Sequence, residues 1–283
     1  MTILVFGKTG QVAQEIRAAA AVTALGRDDA DLADPAACAG AIRSIRPAAV
    51  INAAAYTAVD RAEEEEELAT LINGEAPAVM AGACAAMGIP FVNISTDYVF
   101  DGSGDTPIEA CRAPAPISAY GRSKLAGEQG VEATGGCSVN LRTSWVFSAH
   151  GHNFVKTMLR LGAEREQLGI VSDQFGGPTP ARAISAACLA IVEELQKDTA
   201  KRGTYHFAGA PDTNWADFAR EIFRQAGVDC LVSDIATADH PTPAARPRNS
   251  RLDCRSTESV FGIFRPDWRS ELRLVIKELK NKE

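Results

Sequence analysis

A short apolar run, Ile3-Leu4-Val5-Phe6, is closed by Gly7 and leads at once into the turn Gly7-Lys8-Thr9-Gly10-Gln11-Val12-Ala13. A helix-compatible stretch follows from Gln11 to Ala20. A strand that feeds a helix through a glycine-rich turn constrains the fold strongly. Backbone N–H groups there can approach a pyrophosphate, and the helix N-terminus adds positive potential. The spacing is G-x-x-G-x-x-A, with Gly7 and Gly10 giving clearance and Ala13 small enough for close helix–strand packing. That placement points to dinucleotide binding.

The same rhythm then repeats. Ala21 to Leu25 is a second apolar run, and Asp34-Pro35 reads as an N-cap with proline in the first turn, opening a helix to about Ile45. Ala48 to Asn52 is a third strand, a long helical pattern covers 65–87, and Ile89 to Ile94 is a fourth strand. Strands separated by crossover helices predict an α/β fold, a Rossmann-type doubly wound parallel sheet. After about Arg142 the rhythm loosens, with helices expected at 154–166, 183–195, 215–226 and 271–280. The expected division is a dinucleotide-binding domain over 1–145, joined by parts of 168–210. Residues 146–283 form mainly a smaller, interleaved substrate-binding lobe.

At the end of the second strand an acidic residue would favour the free 2′-OH of NAD, but Gly26-Arg27 stands there. Arg27 can pair with the 2′-phosphate of NADP, which favours NADPH. Asp28, Asp29 and Asp31 lie close behind and keep NADH as the alternative.

Tyr120-Gly121-Arg122-Ser123-Lys124 sets a phenol and an ammonium on one face of a helix. A nearby cation favours phenolate, so Lys124 is expected to lower the Tyr120 pKa towards a working range. Lys124 can also hydrogen-bond a cofactor ribose. Ser95-Thr96-Asp97-Tyr98-Val99-Phe100 follows the fourth strand, at the carboxyl edge where α/β enzymes bind ligands. There the Thr96 hydroxyl can meet a substrate carbonyl beside Tyr120. After the third strand, Asn52-Ala53-Ala54-Ala55-Tyr56-Thr57 gives small residues where a cofactor needs room. Hydroxyl, phenol and ammonium together fit reduction of a ketone.

These segments occur in order with YGRSKLAGE, LRTSWVF, NFVKTMLRL, DQFGGPT and PTPAARPRNSRL. Jointly they resemble the extended short-chain dehydrogenase/reductases and, within them, the dTDP-4-dehydrorhamnose reductases, over nearly the whole chain. The resemblance implies reduction of the 4-keto group of a dTDP-linked 6-deoxy-hexulose. Tyr120 would be the proton donor, Lys124 its electrostatic and ribose-binding partner, and Thr96 the hydroxyl that tunes the tyrosine and touches substrate. It places Asp97, Tyr98 and Trp145 at the sugar, Trp145 offering an apolar face. Gly10, Gln11, Val12, Asp31, Leu32, Ala55, Tyr56 and Thr57 match cofactor-contacting positions, beside Gly7, Arg27 and Ala53. Some bacterial members resemble dimers bridged by magnesium through glutamates, one just after the DQFG segment. Arg182 stands there in this chain, so no metal is expected, and the partner state is monomer or homodimer.

The chain has 283 residues, 46% hydrophobic and 23% charged, with a formal net charge of -7. A negative field disfavours nucleic acid and anionic membranes. Against it, three arginines gather in Arg246-Pro247-Arg248-Asn249-Ser250-Arg251, where they can neutralise a nucleotide diphosphate, Arg246 foremost. Glu63 to Glu67 reads as a solvated helix face. Seven irregularly spaced cysteines without a CxxC read as structural thiols of a reducing compartment. No apolar run reaches the ~18 residues that span a bilayer, and no basic-plus-apolar leader is visible, so a soluble, cytoplasmic protein is expected. Two alternatives stay open: a reductase of another nucleotide-linked 4-ketohexose, or a non-catalytic dinucleotide-binding regulatory subunit.

Overall fold

The computed structural model describes residues 2–281; Met1, Lys282 and Glu283, the ends of the two expected spans, lie outside them. Along the chain come β1 (Ile3–Phe6), α1 (Gln11–Ala19), β2 (Val22–Leu25), α2 (Pro35–Ile45) and β3 (Ala49–Asn52). Then follow α3 (Glu66–Thr70), a π-helical turn (Leu71–Glu75), α4 (Ala76–Met87), β4 (Phe91–Thr96), α5 (Ala119–Ala133) and β5 (Ser138–Thr143). The remainder holds β6 (Val146–Phe147), α6 (Phe154–Glu164), β7 (Gln167–Val171), β8 (Phe175–Gly176), β9 (Thr179–Pro180), α7 (Ala181–Lys197) and β10 (Gly203–His206). Last come β11 (Thr213–Asn214), α8 (Trp215–Ala226), β12 (Leu231–Ile235), β13 (Asn249–Ser250), α9 (Arg255–Phe261) and α10 (Trp268–Lys280).

Six strands form one parallel sheet in the order β10-β5-β4-β3-β1-β2. Because successive strand residues point to opposite faces, the apolar runs divide cleanly. Val5, Ile51, Val92, Val139 and Leu141 pack with α1 and α7 through Ile16, Ile184, Cys188 and Ile191. Leu4, Phe6, Val50 and Phe91 pack with α2 and α4 through Cys38, Ile42, Met80 and Cys84. Helices on both faces make this the doubly wound α/β architecture expected. Asp34 caps α2 by accepting from the Ala37 N–H at 3.0 Å, with Pro35 in the first turn.

The pattern over 65–87 is not one uniform helix. Its π turn inserts an extra residue per turn and separates α3 from α4. The last helix starts earlier than expected, at Trp268, where the Asp267 carboxylate accepts from the Arg269 N–H at 3.1 Å. The short helix α9 carries too little periodic pattern to be read from sequence.

Beyond β5 a separate apolar cluster gathers Phe147, Val155, Met158, Phe218, Ile222, Trp268, Leu272 and Ile276. Small sheets β11-β8-β13, β12-β7 and β6-β9 surround it. Although α7 and β10 lie late in the chain, they pack with the large sheet. The carboxyl ends of β1, β3 and β4 thus face the segments that follow β5.

Candidate active site

The turn after β1 needs glycine at its first position. Gly7 has φ +111°, and a Cβ there would stand 3.2 Å from the Ala53 carbonyl and 3.3 Å from the Ala13 Cβ. Its N–H donates to the Leu25 carbonyl at 2.8 Å, while the Ala53 N–H donates to the Phe6 carbonyl at 2.9 Å, drawing three strand ends together. Gly10 forms the N-cap of α1 without a side-chain cap. Gln11 does more than adjoin the turn: its Oε1 accepts from Ser148 Oγ and Asn153 Nδ2, both at 2.9 Å, tying the turn to the chain before α6. No local pattern announces that link.

At the end of β2, Asp29 is engaged, accepting from the Gly26 N–H at 2.9 Å and from Lys8 at 3.4 Å, which hold its carboxyl below the usual range. Arg27 is 78% exposed and 3.9 Å from Asp31. An exposed guanidinium therefore stands at the carboxyl end of β2.

The chemical groups gather where β4 ends and α5 begins. Ser118 caps α5 by accepting from the Gly121 N–H at 3.2 Å, which puts Tyr120 in the first turn. Thr96 Oγ1 lies 3.1 Å from Asp97 Oδ1 and accepts from the Tyr98 N–H at 3.2 Å, and its hydroxyl is close enough to the Tyr120 phenol to pull that group's pKa down. The Tyr98 and Tyr120 rings meet edge to face at 5.5 Å. Lys124 is buried and donates from Nζ to the Ile94 carbonyl at 2.6 Å. Burial lowers its pKa to about 8, opposed by the Glu128 carboxylate. Asp97 is buried, its carboxyl raised to about 6 by burial against the pull of Ser250 and Thr96, and among the described residues its Oδ2 has no partner at hydrogen-bond geometry.

One expectation is reversed. Tyr120 is pushed up to about 12, chiefly by burial and further by Asp97, with the Thr96 hydroxyl pulling the other way. Lys124 donates to the Ile94 carbonyl and does not figure among the influences on the phenol, so it does not make the tyrosine acidic here. At neutral pH the phenol keeps its proton.

Tyr56 is clamped by Asn73, which sits in the π turn. Asn73 Oδ1 accepts from the Tyr56 N–H at 2.8 Å, and Nδ2 donates to the Tyr56 carbonyl at 2.9 Å and to Ser123 Oγ at 3.0 Å. The acidic run is not a solvated helix face throughout. Glu63 accepts from the Ala119 N–H at 2.8 Å, Glu65 from the Tyr56 hydroxyl at 2.7 Å, and Glu66 holds Arg122 in a two-point pair at 2.7 and 2.8 Å. A short 3₁₀ turn at Arg61–Glu63 breaks the helical register, so Glu63 and Glu66 meet α5 while Glu65 meets Tyr56.

The three arginines do not converge either. Arg246 pairs with both carboxylate oxygens of Asp60 at 2.9 and 2.8 Å, Arg248 pairs with Asp173 at 2.9 Å, and Arg251 lies over the Phe175 ring. Arg182, the residue after the DQFG segment, is exposed and pairs with Glu271 at 2.7 Å.

One cavity of about 570 Å³ is lined by Gly7, Gly10, Gln11, Val12, Arg27, Asp31, Leu32, Ala53, Ala55, Tyr56, Thr57, Thr96, Asp97, Tyr98, Tyr120, Lys124 and Trp145. Of the residues expected to touch cofactor, substrate or the reacting atoms, Arg246 is outside this wall, though its charge is felt by Tyr98, which is part of it. The cavity fits a dinucleotide: a turn whose glycine a Cβ would obstruct, small alanines beside it, and an exposed cation at the far end. A larger depression of about 840 Å³ lies behind α5, but its guanidinium groups are taken up: Arg142 by Glu128, Arg255 by Asp253 and Glu109, Arg112 by Asp101. Among the described residues no His, Cys, Asp and Glu group could hold a metal ion, and no helix is long and apolar enough to cross a membrane.

The sequence profile described as "RmlD substrate binding domain" matches residues 1–281. The chain is 41% identical to a dTDP-4-dehydrorhamnose reductase of Sinorhizobium fredii, over 98% of this chain and 97% of that one. It is similar to a crystal structure of a dTDP-4-dehydrorhamnose reductase from Clostridium acetobutylicum, with a TM-score of 0.91, 36% identity and coverage of 99% and 100%. A Bacillus anthracis dTDP-4-dehydrorhamnose reductase solved in complex with NADP gives a TM-score of 0.90 at 32% identity, covering 98% and 100%.

Proposed function

The chain belongs to the RmlD substrate binding domain family, that of the dTDP-4-dehydrorhamnose reductases, and is an NAD(P)H-dependent oxidoreductase; on that premise we propose that it reduces dTDP-4-dehydrorhamnose to dTDP-L-rhamnose with NADPH. The observation that carries this reading is the shared wall of one cavity, where the protonated phenol of Tyr120 stands with Thr96 and Lys124 in the space that begins at the glycine turn. The sheet side would hold the cofactor, on Gly7 to Val12, Arg27, Asp31, Leu32 and Ala53 to Thr57. Segments from Trp145 onward would mainly hold the sugar, with Asp97 and Tyr98 between them and Arg246 at the diphosphate.

When bound, the reduced nicotinamide supplies a hydride to the keto carbon. As the carbonyl oxygen gains charge, Tyr120 gives it the phenolic proton and becomes phenolate. A phenol held at about 12 is a reliable store of that proton at neutral pH, and the transfer is driven by the alkoxide, a far stronger base. The Thr96 hydroxyl orients the phenol and can also reach the substrate oxygen. Lys124 keeps its charge up to about pH 8 and would hold the cofactor ribose with the N–H groups that Ile94 leaves free. The unpartnered Asp97 Oδ2 is left for a sugar hydroxyl, which would satisfy it. Arg27 distinguishes NADPH by taking the 2′-phosphate.

The direct test follows loss of reduced-nicotinamide absorbance with the 4-keto sugar nucleotide, in parallel with NADPH and NADH, and identifies the product. Formation of dTDP-L-rhamnose is expected, and Tyr120→Phe should lose kcat by at least ~10²-fold while still binding cofactor. Turnover only on a different nucleotide-linked 4-ketohexose would replace the substrate. Cofactor binding with no turnover on any such sugar would replace catalysis with regulation.

A further inference from the structure

Trp145 is one of two non-glycine residues of the described chain with a positive φ, at +48°. It follows β5 directly and forms part of the cavity wall. A bulky residue in the left-handed region is strained and persists only where its surroundings hold it. Three of them do. The Trp145 carbonyl accepts from the Thr179 N–H at 3.1 Å. Gly176 leaves the indole its space, since a Cβ there would stand 2.7 Å from Trp145 Cε2. The third is Trp215, whose ring stacks on Trp145 with centroids 3.6 Å apart and planes 13° from parallel.

Trp215 does not itself line the cavity. It opens α8, where Asn214 caps the helix by accepting from the Asp217 N–H at 2.8 Å. Its Nε1–H donates to Gln174 Oε1 at 3.2 Å, and Gln174 in turn donates to Thr237 Oγ1 at 3.1 Å. Phe154 packs on it at 4.6 Å. The ring is thus fixed in its plane by a hydrogen bond and on its edge by an aromatic neighbour. Both tryptophans remain half-buried, unlike Trp268, which is enclosed in the apolar core.

We propose that Trp215 is a positioning residue for substrate: it holds the Trp145 indole flat as an apolar wall of the sugar subsite, against which the C–H face of a deoxy-hexulose lies. This deepens the functional reading above and rests on it. Without Trp215 the strained Trp145 would lose its backing and the wall would turn. The sugar, not the dinucleotide, would sense the change.

The experiment compares Trp215→Ala, Trp215→Phe and Gln174→Leu with the unaltered protein, measuring KM for the 4-keto sugar nucleotide, kcat, and NADPH Kd by fluorescence titration. Trp215→Ala should raise the sugar KM roughly 3- to 10-fold, the scale of one aromatic pair, with NADPH Kd unchanged. Trp215→Phe should restore most of the loss, and Gln174→Leu should show a smaller rise of the same kind. An unchanged sugar KM in folded Trp215→Ala would overturn the proposal, as would equal losses in sugar and cofactor binding, the mark of a purely structural ring. Should Trp215→Ala not fold, an unchanged sugar KM in Gln174→Leu overturns it. Absence of turnover by the unaltered protein would instead sink the reading on which it rests.

Discussion

At neutral pH Tyr120 and Lys124 both keep their protons, the phenol because of burial and the ammonium in spite of it. Burial pushes Tyr120 up to about 12 and Lys124 down to about 8. As pH rises the ammonium is therefore lost first. The expected alkaline limb of kcat/KM, which reports the free enzyme, lies near about pH 8 and belongs to Lys124. A limb at about pH 10 or higher would take Lys124 out of that role. Asp97 makes a separate prediction for stability. Its carboxyl rises on folding from 3.8 to about 6 through burial. The unfolded chain then releases its proton more readily, so this group stabilises the fold below 3.8 and the contribution is lost as pH climbs through about 6. The loss is on the order of 3 kcal/mol. Asp97→Asn should match the unaltered protein in Tm near about pH 4 and exceed it increasingly towards about pH 7. A Tm difference that stays flat over that range would contradict the burial argument.

Between the residues and the site stand two helices that approach unusually closely. α5 brings Tyr120 and Lys124 to β4 by letting backbones touch. A Cβ on Gly121 would lie 2.2 Å from the Tyr98 carbonyl oxygen, and one on Gly127 would lie 2.1 Å from that of Asn73. Asn73 occupies the π turn, whose extra residue carries its amide to both backbone groups of Tyr56. The close contact and the clamp are one device. Gly127→Ala must push the π turn away and should cost about 3 kcal/mol or more in urea unfolding. Gly82→Ala on neighbouring α4, where a Cβ would meet nothing within 4 Å, should instead gain up to about 1 kcal/mol. Similar effects from both substitutions would mean that α5 is not held by backbone proximity. This is also where sequence reading stops. Tyr120, Lys124 and Thr96 are legible because strand end, turn and helix are local patterns. Asn73 is not, since its role depends on which groups the loop after β3 leaves unpaired.

For the whole molecule, the alternation of strand and helix up to β4 was readable because each crossover is contiguous. The return of α7 and β10 to the large sheet was harder, as it rests on contacts between distant segments. Neighbours in sequence also mislead at this scale: Arg246 goes to Asp60 of the sheet side, while Arg248 goes to Asp173. What a bound dinucleotide should do globally follows from the cavity's construction. Its wall joins the ends of β1, β2, β3 and β4 to Trp145, a set brought together only by folding. A ligand there binds the native state alone, so NADPH at about 100 times its Kd should add about 2.7 kcal/mol. For a chain of this size that is a rise in Tm of roughly 4 to 5 °C. Arg27 is exposed and among the described residues its one ion pair is with Asp31 at 3.9 Å, so Arg27→Ala should leave the ligand-free Tm unchanged. The same variant should shrink the NADPH shift towards that given by NADH at equal concentration, because only NADPH carries the phosphate the guanidinium can hold. Thermal shifts that fall equally for both cofactors would assign Arg27 to general attraction of anions, and the preference for NADPH would then have to arise elsewhere in the turn.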